Sequence, residues 1–254
     1  MSATLSHPHT TVALPTRPGA LSPKGIARIA GLAYLGLAVL TWFANAAAAT
    51  LYVPGDAPTT AARLAADPAF VRMAVAADLA GATLWVILAL VLGRLLLGVD
   101  RDATTALIAF TSLGAGILIV SAVPELVAMR VATGAVDLSA LGGAGSPAVA
   151  LLLMDVHHFG GLAAAVFMGL WLLPFGLLAR RSGGLLPAWI GTLFLLGGAC
   201  YLVHVSAAFL APDLHAAIRG VILLVPTVPE VAMVAFLLAV GVRRPRTADP
   251  STAA

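Results

Sequence analysis

Residues 148–179 read AVALLLMDVHHFGGLAAAVFMGLWLLPFGLLA, an apolar run interrupted only by Asp155, His157 and His158. A hydrocarbon core of about 30 Å needs about 20 apolar residues in helical form, so this run exceeds one perpendicular span and must tilt, protrude or break near Gly160 and Gly161. The same length logic extends to both sides of it. No residue between Arg28 and Asp56 is charged, nor any from 103 to 124, and further apolar runs follow Pro187 and precede Arg243. With 61% hydrophobic residues and only 10% charged, against roughly a quarter charged in soluble domains, the solvent of this chain is largely lipid.

The expected fold class is all-α, a polytopic membrane helix bundle of six transmembrane helices with both termini cytoplasmic. The spans fall at 26–50, 68–97, 103–130, 148–179, 187–210 and 218–242, forming one domain over 25–243. The stretch VPGDAPTTAARLAADP (53–68) supplies turn residues, a short amphipathic helix around 59–66, and a helix start in Asp67 followed by Pro68. The segment 211–217 reads as a short loop. Residues 1–24 are rich in Ser, Thr and Pro and lack a continuous apolar run of about 7–15 residues, so they read as a disordered cytoplasmic tail rather than a signal peptide. Residues 244–254 form a second polar tail. His7 and His9, in the first tail, make at best a weak metal site.

Lys and Arg fix the orientation. Arg17, Lys24, Arg28, Arg94, Arg101, Arg180, Arg181, Arg243, Arg244 and Arg246 fall on one side of the six spans, and Arg63, Arg72, Arg130 and Arg219 on the other. Ten against four marks the first side as cytoplasmic and the protein as a multi-pass component of the plasma membrane. The net charge of +3 is spread over the ends of apolar runs rather than gathered in a patch, so nucleic acid is excluded as a partner and the lipid bilayer is the expected one. Cys200, the single cysteine, cannot form an intrachain disulfide.

Over 25–242 the chain resembles the bacterial membrane family called domain of unknown function 4386. The resemblance rests on Ala27-Arg28-Ile29-Ala30-Gly31-Leu32 with Tyr34, on Val53-Pro54-Gly55-Asp56, and on Ala77-Asp78-Leu79. It continues through Asp155, His157, His158 and Gly160, then Arg181-Ser182-Gly183 with Leu186-Pro187-Ala188-Trp189-Ile190-Gly191, and Glu230 before Val240-Gly241-Val242. Phe236, at a position expected to be Trp-like, and the Gly-rich 131–147 loop depart from the pattern. The resemblance implies a multi-helix inner-membrane protein and brings no activity, substrate or cofactor with it.

Ionisable side chains inside a bilayer are costly and mark candidate sites. Counting about 1.5 Å per residue from the cytoplasmic end of each helix puts Asn45, Asp78, Glu230 and His204 at about 20–25 Å, and Glu125 and His158 at about 33 Å. These groups form one layer in the outer half of the membrane. The inner half offers only Thr, Ser, Tyr and Trp, which disfavours a continuous proton or ion path. Asp155 and His158, spaced i and i+3, share a helix face, while His157 is turned about 100° away.

The candidate pocket is therefore Asn45, Asp78, Glu125, Asp155, His158, His204 and Glu230. Within it, Asp155, His158, His204 and Glu230 offer the N and O ligands of a divalent metal, although no HExxH-type spacing accompanies them. Glu230 is expected to ionise as half of a pair with His204 or His158. Three readings follow: an outward-facing pocket for a small molecule or lipid, a metal-dependent intramembrane enzyme, and a structural or accessory membrane subunit. Gly114, Gly116, Gly160, Gly161 and Ala164 are expected at close helix contacts, and Trp42, Trp85, Trp171 and Trp189 in packing or as interface anchors.

Overall fold

Ser22 starts the first helix. Its hydroxyl accepts a hydrogen bond from the Gly25 amide at 3.2 Å, and Pro23 takes a first-turn position where no N–H is needed, so α1 (Pro23–Leu51) begins there. The computed structural model describes residues 22–138, 140, 142 and 145–242, and every regular element among them is a helix. Asp56 caps α2 (Ala57–Ala66), where the Thr59 amide and hydroxyl both donate to it and hold its carboxyl below the usual range. Asp67 caps α3 (Pro68–Leu96) by accepting from the Ala69 and Phe70 amides. Asp100 caps α4 (Arg101–Ala132) through the Ala103 amide; α5 (Gly145–Arg181) and α6 (Ala188–Leu210) follow.

The last span differs from the sequence reading. Residues 211–217 are not a loop, because Pro212 opens α7 (Pro212–Ile222), and α8 (Leu224–Ala239) continues after a break at Leu223. Pro226 explains the break: it has no N–H for the Ile222 carbonyl four residues earlier, and its ring crowds that carbonyl. The span expected to start at 218 thus starts at Pro212. Taking α7 and α8 together, six helices are long and apolar enough to cross a membrane, so this is a multi-pass membrane protein.

The spans close into a ring, α1 against α3, then α4, α5, α6 and α8, which returns to α1. Its centre is filled. Trp171 stacks on Phe175 with ring centroids 5.5 Å apart and meets Tyr34 and Trp85 edge-on, while Phe175 packs on Phe194 at 4.8 Å. Trp42 and Trp189, by contrast, point out of the bundle.

Glycines set the closest approaches. A Cβ on Gly176 would lie 2.6 Å from the Gly191 carbonyl oxygen and one on Gly198 2.8 Å from that of Gly169, so α5 and α6 touch backbone to backbone at two points one heptad apart. Gly114 admits Trp85 and Phe167, and Gly160 admits Ser121, whereas Gly116 and Gly161 face open space.

Each end of the bundle is finished differently. At the basic end Arg181 donates to Asp100 at 2.5 Å and ties the α3–α4 turn to the α5–α6 turn. The Asp100 carboxyl is held below its usual range, by the Ala103 amide first and by Arg181 as well. At the opposite end α2 lies across α4 and α5. Its fully buried Leu64 joins Val71, Met129 and Met154 in an apolar layer.

Candidate functional site

Asp78 of α3, Glu125 of α4 and His157 of α5 converge, with one ligand atom from each lying within 4.8 Å of the other two. Asp78 is ten residues from the start of α3, Glu125 seven from the end of α4 and His157 twelve from the start of α5, so helix rise puts them about 10–18 Å below the α2 end. The apolar layer sits directly above. Val71, Met129 and Met154 precede or follow the three residues by seven, four and three positions, and so occupy the same helix faces nearer the end.

Two features prepare these groups to hold something. The Nδ1 of His157 lies 2.9 Å from the Ser121 carbonyl oxygen. A carbonyl only accepts, so Nδ1 carries a proton, and the Nε2 on the other side of the ring faces Glu125 Oε2, 3.9 Å away and beyond hydrogen-bond reach. Glu125 is 1% exposed, and its Oε1 is buried with no hydrogen-bond partner. Orphaned buried carboxylate oxygens are rare because the lost hydration is not recovered. An imidazole fixed through one nitrogen by a backbone carbonyl, with the other free, is how proteins orient a metal-ligating histidine.

Local sequence builds this geometry. Pro124 leaves the Val120 carbonyl in α4 without its N–H partner, and the next carbonyl, that of Ser121, is the one that meets His157. Gly160, one turn past His157, lets α5 approach Ser121 closely enough for that bond.

The structure distributes the sequence candidates over several places. Asp78 and Glu125 meet, and the imidazole that joins them is His157, about 100° around α5 from the expected His158. Asp155 instead accepts from the Tyr52 hydroxyl at 2.5 Å, and the exposed ring of His158 lies against Tyr52. Tyr52 stands just outside α1, and burial together with Asp155 raises its phenol well above the usual range. His204 packs against His215 of α7, with ring centroids 4.6 Å apart. Asn45 is exposed and donates to its own helix at the Thr41 carbonyl.

Glu230 has Tyr34 and Tyr201 as its electrostatic neighbours, and among the described residues no histidine comes within ion-pair distance of it. The pairing with His204 or His158 expected from helix depth is therefore not made. Glu230→Gln is expected to shift the melting temperature in detergent by less than about 2 °C, since an amide serves tyrosine neighbours as a carboxyl does. A loss of about 10 °C would mean that Glu230 carries a charge with a partner.

Sequence reasoning passed over His157 as a ligand and did not single out Tyr52 or His215. The signals were present: Pro124 beside Glu125, and Gly160 one turn past His157. Above the polar layer lies the apolar layer of Leu64, Val71, Met129 and Met154. A groove of about 430 Å³ does open at the basic end, along Pro187, Trp189, Ile190, Ala232 and Phe236, with no carboxylate or imidazole on its walls.

Comparison with curated proteins and with solved structures finds no match. Residues 29–241, which include every span except the first residues of α1, match the family described as Domain of unknown function (DUF4386). The chain, with its six-helix ring and the cluster of Asp78, Glu125 and His157, thus belongs to the DUF4386 family.

Proposed function

We propose that this protein holds a divalent metal ion within the membrane, at Asp78, Glu125 and His157. The observation that carries the proposal is the convergence of three ligand atoms around an imidazole anchored through Nδ1 and a Glu125 oxygen without a partner. Two carboxylates this close in a low-dielectric bundle cannot both stay ionised without a compensating cation; a proton or a metal ion serves. A divalent ion with both carboxylates ionised and the imidazole neutral makes a site of zero net charge, the cheapest state to bury. One nitrogen and two oxygen donors suit zinc, manganese or ferrous iron. Bonds of about 2.1 Å would draw the ligand atoms, now within 4.8 Å of one another, to roughly 3.4 Å apart, within the reach of side-chain rotation.

Three protein ligands leave at least one coordination position open, as in catalytic rather than closed structural sites. This favours metal-dependent chemistry in the membrane over a purely structural or accessory role, and the apolar layer disfavours an open pocket for a lipid or small molecule. By the asymmetry of Lys and Arg the site lies in the outer half of the plasma membrane.

Metal analysis of the full chain purified in detergent tests the reading. About one equivalent of zinc, manganese or iron is expected to be lost in His157→Gln and in Glu125→Gln relative to the wild type, and retained in His158→Gln. Wild-type protein that stays metal-free when dialysed against each of the three ions would overturn the proposal and leave the three residues as a packing cluster.

A further inference from the structure

His204 of α6 and His215 of α7 form a second feature at the α2 end, outside the Asp78, Glu125 and His157 cluster. Their rings lie 4.6 Å apart, centroid to centroid, at an interplanar angle of 54°. Nδ1 of His204 and Nε2 of His215 are both buried and both lack a hydrogen-bond partner. His204 is only 8% exposed, so water does not compensate its orphaned nitrogen. Two neighbouring imidazoles, each with an unsatisfied nitrogen, lack a shared electrophile. A proton bridges two such nitrogens only in line, whereas a metal ion bridges them at an angle. Two imidazoles on one tetrahedral ion, with N–metal bonds of about 2.0 Å, place their ring centroids roughly 5 Å apart, close to the separation seen.

The surroundings fit a captured ion. His158 of α5 is an electrostatic neighbour of His215. The opposing charge nearby is Arg219, one turn further along α7, and it is exposed, so its guanidinium remains solvated. None of the residues of α7 is buried, and the helix is joined to α8 through the break at Leu223. It therefore relies on few apolar contacts to stay on α6, and a bond through His215 would dock it.

We propose that His204 and His215 form a second metal site, a nitrogen-only clasp for a borderline transition-metal ion such as Zn²⁺, which pins α7 to α6. It does not depend on the triad binding metal.

The test is a Zn²⁺ titration of the full chain in detergent against a chromophoric chelator, in a background of His157→Gln with His7→Ala and His9→Ala, so that neither the triad nor the N-terminal imidazoles contribute. The affinity is expected to fall more than about tenfold in His204→Gln and in His215→Gln, with no comparable further loss in the double variant, because both rings serve one ion. Unchanged affinity in either single variant would overturn the clasp, as would two losses that simply add. Since α7 buries no residue, His215→Gln should leave the helical circular dichroism of the metal-free protein unchanged. Should His204→Gln fail to fold, Cu²⁺ bound to the background protein still decides the matter. Nitrogen hyperfine structure from two or more imidazoles is expected in its electron paramagnetic resonance spectrum, and a spectrum of oxygen ligands alone would overturn the assignment.

Discussion

Gly160→Val is expected to part α4 from α5 and to remove metal from the triad in the same step. A Cβ at Gly160 would lie 2.1 Å from Ser121 Oγ and 2.7 Å from Ser121 Cβ. The hydroxyl can rotate away, but the Cβ cannot, so the helices must separate. Overpacking of this kind costs about 1–3 kcal/mol, or a melting temperature lower by about 2–10 °C in a chain of this size. The bond from His157 to the Ser121 carbonyl, at 2.9 Å, does not survive a shift of about 1 Å. Metal content should therefore fall in the protein that still folds. Because the bond uses the backbone of Ser121 and not its side chain, Gly160→Ala made together with Ser121→Gly should retain both stability and metal. If that pair is as damaged as Gly160→Val, the close approach is not what assembles the site.

A larger loss of stability, with the opposite outcome at the site, is expected from Gly176→Val. Here the new Cβ would lie 2.6 Å from a backbone oxygen, that of Gly191, and no rotamer change relieves a clash with backbone. The cost should reach the top of the overpacking range, about 3 kcal/mol, visible as a lower yield of monodisperse protein and a reduced melting temperature in detergent. Gly176 is nineteen residues beyond His157, about 28 Å along α5, so each molecule that does fold should hold its metal normally. Metal lost in proportion to stability would show that the α5–α6 contact and the triad are one cooperative unit.

The six spans were legible because a hydrocarbon core demands a minimum length of apolar helix, and the caps at Asp67 and Asp100 mark where helices begin whatever the tertiary context. Which groups meet was harder to read. Depth along a helix is a matter of counting, and it put Asp78 and Glu125 into one layer correctly. Azimuth is not, because α5 is apolar on every side and periodicity cannot say which face points inward. The i, i+3 spacing of Asp155 and His158 correctly put them together, and both lie against Tyr52, but it left open that His157 takes the face toward α3 and α4. Glu230 and His204 illustrate the same gap: similar depth on different helices did not bring them together. The helical character of 212–222 could have been found from Pro212 and Asp213, a proline in the first turn with a carboxylate beside it.

The break at Leu223 leaves α8 with 16 residues, about 24 Å of helix, while α5 runs for 37 residues, about 55 Å. The wall of this ring is therefore not of even height. On its own α8 is shorter than an ordinary hydrocarbon core is thick and crosses only together with α7, whereas α5 has length to spare.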